Sequence, residues 1–292
     1  MQSWSQRQAE VAALAQRQLF FVGGAPRSGT TWLQHILDAH PDICCRGEGH
    51  FLHFLATPMG GVMQHRREQL QRKNTRLFRN VGGYPLPDPE DVEFLVGSAI
   101  LMALAQQCDG HPYPIVGEKT PENVFYFPNL KRLFPAAKFV GIARDPRDIL
   151  VSAWHMIPEQ RRQGDEALEQ MPFIRKAVGA VGQFTDAMLS LQRRYPADVL
   201  IVTYEALLRD PETTVAALYR FLGAADSPAI VADSVARTSF AAMSGRPAGI
   251  EDNGAFMRKG VAGDWRTHLT PEMNQLILGQ FAPLFPQFGW EI

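Results

Sequence analysis

The feature that most constrains this chain is a glycine-rich loop between an apolar run and a helical pattern. LFFVGG (Leu19 to Gly24) predicts a short buried strand that stops at glycine, and TTWLQHILDA (Thr30 to Ala39) has apolar residues at helical spacing. Backbone N–H groups at the N-terminus of a helix bind anions. The loop therefore predicts a phosphate-type site, with an ordinary tight strand-to-helix turn as the alternative.

The same order of elements recurs along the chain. AKFVGIARD (137–145) and VLIVTY (199–204) predict two more strands, and helices with proline in their first turn follow at Pro146 and within Asp210 to Gly223. Unbroken apolar strands that alternate with helices are typical of a parallel sheet covered on both faces. We therefore predict an α/β fold with three layers, α/β/α, around a central parallel sheet.

The chain has no linker rich in proline, glycine or serine, so we predict a single domain over residues 1–292. Residues 1–18 are expected to form a short helix or an N-terminal extension. Two segments interrupt the order of strands and helices, at about residues 54–115 and 156–173, and we expect them to be insertions.

The charges of the chain nearly cancel. Lys and Arg number 29 against 30 Asp and Glu, a formal net charge of -1, which removes the general electrostatic argument for binding nucleic acid. The three cysteines include no CxxC pair, so neither a disulfide framework nor a structural zinc site is expected. With no secretory leader and no apolar run long enough to span a bilayer, we expect a cytoplasmic protein without a transmembrane segment.

The loop departs at one position from that of nucleotide triphosphatases. Gly24 and Gly29 have the spacing of GxxxxGK[ST], but Thr30 stands where lysine is needed for triphosphate and magnesium chemistry. A phosphoryl-transfer kinase is therefore the less favoured alternative. Anion binding falls instead to one cation and three hydroxyls, those of Arg27, Ser28, Thr30 and Thr31.

Five motifs, in order along the chain, resemble those of sulfotransferases that use 3′-phosphoadenosine-5′-phosphosulfate (PAPS). PRSGTTW (26–32) looks like their 5′-phosphosulfate loop. The other four are Arg144 and Ser152 around DPRDILV, YEAL (204–207), TSF (238–240) and FMRKGVAGDW (256–265). The resemblance covers roughly residues 19–265 and implies the P-loop-like sulfotransferase fold, with PAPS as the donor.

The resemblance also implies two separate phosphate sites, since the donor carries two phosphate groups. The 5′-phosphosulfate would be held by Arg27, Ser28, Gly29, Thr30 and Thr31, and the 3′-phosphate by Arg144, Ser152, Arg258, Lys259 and Gly260. The adenosine would contact Trp32, Tyr204, Thr238 and Phe240. Guanidinium groups suit dianionic phosphate because they bind it in a bidentate manner. The Trp32 indole could stack on adenine or pack in the core.

The histidine that small-molecule sulfotransferases use as a general base is absent, because the corresponding segment reads GEKTPEN (117–123). Instead, DAHPDICCRGE (38–48) resembles the branch that includes tyrosylprotein sulfotransferases, in which a glutamate is the base. This makes Glu48 the candidate base, with a pKa raised by burial among Phe51 and Phe54. Three side chains remain as alternatives: His50, His53 and the weaker candidate Glu118.

Lys119 matches the family lysine that reaches the leaving group, where an ammonium stabilises developing negative charge. An ion pair with Glu118 or Glu122 is the alternative role. Together with Arg27 in the phosphosulfate loop, Glu48 and Lys119 make up the expected catalytic set. Sulfuryl transfer does not demand a metal, because no phosphoanhydride polyanion has to be neutralised.

The resemblance thus implies transfer of the sulfuryl group of PAPS to a hydroxyl acceptor. The acceptor could be a small molecule, a carbohydrate, a lipid or a peptide tyrosine, and the two insertions are expected to build its pocket. Besides the kinase, a catalytically inactive nucleotide-binding protein remains an alternative.

Overall fold

The computed structural model describes residues 3–157, 169–252 and 254–292, and its centre is a sheet of five parallel strands. In chain order these are β1 (Gln18–Gly23), β2 (Ile43–Gly47), β3 (Ile115–Lys119), β4 (Lys138–Ala143) and β5 (Val199–Thr203). Across the sheet the order is β2-β3-β1-β4-β5. Because neighbouring strands are parallel, their carboxyl ends lie along one edge of the sheet.

Helices cover both faces of this sheet. The described α-helices are α1 (Trp4–Leu14), α2 (Thr30–Asp38), α3 (Thr57–Leu77), α4 (Pro89–Gln107), α5 (Asn123–Leu133), α6 (Pro146–His155), α7 (Gln170–Arg194), α8 (Tyr204–Arg209), α9 (Pro211–Leu222), α10 (Pro228–Arg237), α11 (Phe240–Ser244), α12 (Pro271–Phe281) and α13 (Phe285–Phe288). Short π- and 3₁₀-helical segments lie at Phe51–Ala56, Asp264–Thr267 and Ala282–Leu284.

The alternation of side chains along β1 divides the core into two parts. Leu19 and Phe21 pack on one face with α1, α4 to α7, α12 and α13. Phe20 and Val22 pack on the other face with α2 and α8 to α10. The predicted three-layer architecture around a parallel sheet is therefore confirmed.

The three strands predicted from apolar runs are present close to their predicted bounds, but the sequence pattern missed β2 and β3. β2 offers only three consecutive apolar residues, Ile43 to Cys45. β3 ends in Glu118 and Lys119, two charged residues that are buried in the folded chain. Neither strand has the long apolar run by which a buried parallel strand is normally found.

The segment at about residues 54–115 consists mainly of α3 and α4. No residue of α3 is buried, whereas α4 packs into the core through side chains such as Ile100. The N-terminal segment forms the helix α1, which begins with a capping box at Ser3. Of the segment at 156–173, residues 158–168 lie outside the described residues. In the described ranges, no helix has the length and apolar composition that a membrane crossing needs.

Arg147, in the first turn of α6, is completely buried and ties the end of β4 to the C-terminal part of the chain. Its Nη2 lies 2.7 Å from Oδ2 of Asp145 and also donates to the carbonyl of Glu291. The guanidinium stacks on Trp265, with 3.7 Å between its carbon and the ring centre. A buried cation of this kind depends on keeping all its partners.

Arg147→Ala should lower the free energy of unfolding by about 3–5 kcal/mol, because it leaves the buried Asp145 carboxylate without its partner. The control is Arg220→Ala, since the Arg220 side chain is 71% exposed while paired with Asp226. That exposed pair should contribute less than about 1 kcal/mol. Urea unfolding of both variants measures the two losses, and equal losses would contradict the role given to Arg147.

Candidate functional site

The loop between β1 and α2 has a backbone shape that requires glycine at two positions. Gly24 and Gly29 have φ values of 155° and 104°, and Arg27 between them also has a positive φ of 72°. A Cβ atom on Gly29 would lie 2.8 Å from the Tyr204 ring, so a side chain there is excluded by contact as well. No side chain caps the N-terminus of α2, which leaves the first N–H groups of that helix available to an anion.

Three buried polar atoms around this loop have no hydrogen-bond partner among the described residues. They are Ser28 Oγ, Arg144 Nε and Arg258 Nε. A buried donor without a partner costs free energy, so such atoms commonly mark the place of a ligand or of water. Their position around the loop fits a ligand that carries anionic oxygens.

The residues expected to bind the donor come together around one cavity of about 310 Å³, a size typical of small-molecule sites. Its walls include Arg27, Gly29, Thr30, Thr31, Trp32, Arg144, Ser152, Tyr204, Thr238, Phe240, Arg258, Lys259 and Gly260. Ser28 is the expected residue that is not part of the wall, since it is buried within the loop. These residues come from distant parts of the sequence, and the fold brings all of them to the carboxyl edge of the sheet.

Part of the cavity wall is aromatic. The Trp32 indole is half-buried, donates to the carbonyl of Thr238 at 2.8 Å and packs edge-on against Tyr204, with 5.3 Å between ring centres. Gly260 lies so close to Phe240 that a Cβ would be 2.1 Å from its ring. Trp32 thus takes part in packing and also forms part of the cavity wall.

Three guanidinium groups, those of Arg27, Arg144 and Arg258, also line the cavity. Arg27 Nε donates to Ser152 Oγ at 3.1 Å, and Arg144 donates to the carbonyl of Arg27 at 3.2 Å while stacking on Tyr204. Burial lowers the pKa of Arg27, and the positive charges of Arg144 and Arg258 lower it further. A bound anion would relieve this repulsion, so the electrostatics of the cavity favour a negatively charged ligand.

Arg258 and Lys259 are held by acidic partners that the sequence pattern did not single out. Asp264 accepts hydrogen bonds from both cations, with 2.5 Å to Lys259 Nζ, and Glu251 lies 2.6 Å from Arg258. Burial acts to lower the pKa of Arg258, but its bonds to Asp264 and Glu251 raise it overall. Asp264 belongs to the motif FMRKGVAGDW, so the signal for it was present in that segment.

A second cluster lies where β2 and β3 end. The two strands pair in register with Gly47 beside Lys119, which places Glu48 next to the lysine. Lys119 Nζ is 2.5 Å from Glu48 Oε1 and 3.4 Å from the Thr31 hydroxyl of the loop. The lysine therefore joins the candidate base to the anion-binding loop. The expected alternative, an ion pair of Lys119 with Glu118 or Glu122, is wrong.

The surroundings of Glu48 also differ from the expectation. Its side chain is 39% exposed and is not buried among Phe51 and Phe54, since Phe54 itself is 65% exposed. Its carboxylate instead faces Lys119 on one side and His50 Nε2, at 3.3 Å, on the other. Polar side chains, rather than an apolar pocket, surround this carboxylate.

The two histidines proposed as alternatives lie in different settings. His50 bridges two carboxylates, since its Nδ1 is 3.8 Å from Glu122 Oε2 and its Nε2 faces Glu48. His53 is exposed and packs against Phe54, with 4.8 Å between ring centres. Of these two histidines, His50 is the one that contacts Glu48.

Glu118 and Thr120, on either side of Lys119, hold the backbone that follows Glu48. Glu118 is buried and accepts hydrogen bonds from the Gly49 N–H at 2.7 Å, from Thr120 Oγ1 at 2.5 Å and from Asn123 Nδ2 at 2.9 Å. The His50 N–H donates to Thr120 Oγ1 at 3.2 Å. The Glu118 carboxylate therefore accepts hydrogen bonds from the protein itself. Its role is to position the turn that carries Glu48.

Comparison with known proteins bears on this geometry. A model of the sulfotransferase family matches residues 20–228. The chain belongs to the sulfotransferase family. Protein-tyrosine sulfotransferase 2 of Gallus gallus is 27% identical over 206 residues, which cover 70% of this chain and 51% of the chicken protein. Sulfotransferase 2B1 of Rattus norvegicus is 28% identical over 172 residues, which cover 53% of this chain and 50% of the rat protein.

This sulfotransferase chain thus spans about half the length of these curated relatives. Among solved structures, mouse sulfotransferase SULT7A1 in complex with PAP matches with a TM-score of 0.58 at 19% identity, over 96% of this chain and 90% of the mouse chain. A likeness at this identity concerns the fold alone, and it confirms the predicted sulfotransferase fold.

The setting of Glu118 predicts how stability depends on pH. Burial raises the pKa of this carboxyl above its ordinary value of 4.5, so the folded chain holds the proton more tightly than the unfolded chain. The stability that this gives is fully present below the unfolded pKa and is lost as pH rises through the folded pKa. Relative to Glu118→Gln, the wild-type free energy of unfolding should therefore fall as pH rises above the ordinary pKa of 4.5. Urea unfolding of both proteins over a series of pH values tests the sign, and a difference that is flat or rises with pH would be inconsistent with it.

Proposed function

We propose that this chain transfers the sulfuryl group of PAPS to a hydroxyl acceptor and releases adenosine 3′,5′-bisphosphate (PAP). The observation that carries the proposal is the position of Lys119, whose Nζ contacts both Glu48 and the Thr31 hydroxyl of the loop. A base for the acceptor and a cation for the leaving group thereby lie at the same mouth of the anion-binding loop. Membership of the sulfotransferase family supports this function.

The residues present fit the two phosphate groups of this donor. The loop offers N–H groups at the start of α2 together with the unpaired Ser28 hydroxyl, which suits the 5′-phosphosulfate. Arg144 and Arg258, each with an unpaired Nε, and the Ser152 hydroxyl suit the 3′-phosphate. The mouse protein of the same fold was solved with PAP, which agrees with this assignment.

Three residues of the chain carry the chemical step in this proposal. Glu48 accepts the proton of the acceptor hydroxyl as the new oxygen–sulfur bond forms. Lys119 stabilises the negative charge that develops on the 5′-phosphate as its bond to sulfur breaks. Arg27 and the loop hold the donor in line with the acceptor. The ion pair between Glu48 and Lys119 holds the two side chains next to each other and next to the loop.

The acceptor hydroxyl in this proposal belongs to a peptide tyrosine, a small molecule, a carbohydrate or a lipid. Similarity to the chicken protein-tyrosine sulfotransferase supports the peptide tyrosine. The segment that contains α3 and α4 follows Glu48 directly, which supports a role for it in acceptor binding. We also propose a cytoplasmic location, supported by three buried cysteines that are all free thiols.

Calorimetric titration separates this function from that of a kinase. PAP should bind the untagged protein at least about tenfold more tightly than ATP with magnesium, because ATP lacks the 3′-phosphate that Arg144 and Arg258 are assigned to hold. Transfer from labelled PAPS to hydroxylated small molecules and to acidic tyrosine peptides then identifies the acceptor. ATP that binds as tightly as PAP would argue for the kinase, and PAP binding without transfer to any acceptor would argue for an inactive protein.

Glu48→Gln should bind PAP normally and lose sulfuryl transfer by about 10²–10⁴-fold, because glutamine keeps the size of the side chain but cannot take a proton. The loss should shrink for acidic phenols, which need less help to lose their proton. The control is Glu122→Gln, which changes the carboxylate on the other side of His50 without touching Lys119. Rates with a common acceptor and binding of PAP measure both effects. Near wild-type activity in Glu48→Gln, together with an inactive His50→Ala or His53→Ala, would assign the base to a histidine instead.

A further inference from the structure

Asp148, in the first turn of α6, is fully buried, and it contacts the backbone of Gly263 and Trp265 and the side chain of Arg144. Its Oδ2 accepts a hydrogen bond from the Gly263 N–H at 2.7 Å, and its Oδ1 accepts one from the Trp265 N–H at 3.0 Å. These two amides belong to the turn that follows the segment Arg258 to Gly260. One carboxylate therefore fixes the backbone at the end of the segment that carries two of the cations of the cavity.

Arg144 holds the same turn from the other side. Its Nη2 donates to the Val261 carbonyl at 3.0 Å and lies 3.8 Å from Asp148 Oδ2, while its Nη1 donates to the Arg27 carbonyl of the loop. Asp148 and Arg144 together thus bind the backbone of the turn at Val261, Gly263 and Trp265. Through its second bond, Arg144 also connects the turn to the phosphate loop. Asp148 is not part of the cavity wall, so it acts on a ligand only through these partners.

Burying the Asp148 carboxylate costs free energy unless its hydrogen-bond and charge partners stay in place. Burial raises the pKa of Asp148, while Arg144 and the N–H groups of Trp265 and Gly263 oppose that rise. A buried carboxylate is stable only with such partners, and buried N–H groups that lose their acceptor cost free energy in turn. The turn and the carboxylate therefore depend on each other.

We propose that Asp148 is a positioning residue for the donor: it fixes the turn at 261–265 and thereby sets how well Arg258, Lys259 and Arg144 bind a 3′-phosphate. This inference rests on the proposed function and goes beyond it, because it assigns the preference for a 3′-phosphorylated nucleotide to a residue that does not touch the nucleotide. Ser152 lies one turn after Asp148 on α6, so the same helix supplies both the anchor of the turn and a hydroxyl of the cavity.

The test is the ratio of the dissociation constants of adenosine 5′-monophosphate (AMP) and PAP, measured by calorimetry. AMP has no 3′-phosphate, so a loss of this subsite weakens PAP alone. Asp148→Asn keeps the size of the side chain but puts an NH₂ group where one N–H needs an acceptor, and it removes the charge that faces Arg144. We expect its PAP dissociation constant to rise at least about tenfold and its AMP dissociation constant to change less than about threefold.

The matched control is Glu205→Gln. Glu205 also accepts two N–H hydrogen bonds, from the Asp145 N–H and from Trp290 Nε1, and burial also raises its pKa. Neither of these two donors belongs to the turn or to the cavity wall, and Arg144 acts on Glu205 only through its charge, without a hydrogen bond. This variant should lose stability in urea unfolding while it keeps the wild-type ratio of AMP to PAP affinity.

The outcomes separate this inference from the proposed function. A wild-type protein without preference for PAP over AMP would overturn both. A wild-type preference that Asp148→Asn retains, with a loss of stability like that of Glu205→Gln, would overturn the positioning role alone. Should Asp148→Asn fail to fold, Gly263→Ala decides, because Gly263 has a φ of 77° and an added Cβ would lie 2.3 Å from Arg266 Nη1. That variant disturbs the same turn and should lose the preference, and an unchanged ratio in it would overturn the inference.

Discussion

The parallel register between β2, β3 and β1 is the constraint on which the rest of the site depends. Lys119, at the end of β3, lies beside Gly47 of β2 on one side and beside Val22 of β1 on the other. The loop after β1 and the residues after β2 therefore meet around this lysine. Lys119 is almost completely buried, while its partner Glu48 remains partly open to solvent. A buried ammonium needs a fixed carboxylate, and an acceptor needs access to that carboxylate. Both needs are met because the strands end at the same edge.

Charge balance around the donor cavity is the second organising principle. The chain as a whole has almost no net charge, yet Arg144 and Arg258 lie close enough to Arg27 to repel it. Asp148 and Asp264 hold two of these cations from outside the cavity wall. The positive charges are thereby held in place before a ligand binds. The free energy needed to bring them together is supplied by folding and does not reduce the binding free energy of the ligand.

Much of the fold and of the donor site could be predicted from local patterns. β1, β4 and β5 follow from apolar runs, and α2, α6 and α9 from their spacing and their first-turn or capping residues. The residues expected to bind the donor lie within five short motifs, because phosphate binding by a loop and a helix N-terminus needs particular residues in a short stretch. β2 and β3 escaped prediction because a strand with few apolar residues or a charged end looks like a loop in the sequence.

The environment of Glu48 shows where sequence reasoning stops. The sequence by itself determined that a carboxylate follows the helix after the glycine-rich loop and that a lysine stands in GEKTP, since these are local facts. Only the tertiary structure decided that the carboxylate pairs with Lys119 and His50, and that Phe54 points away into solvent. The reason is that local spacing specifies which residue is present and which element it extends. Its neighbours, its exposure and the pKa of groups such as Glu118 depend on contacts between strands that lie about 70 residues apart in the chain.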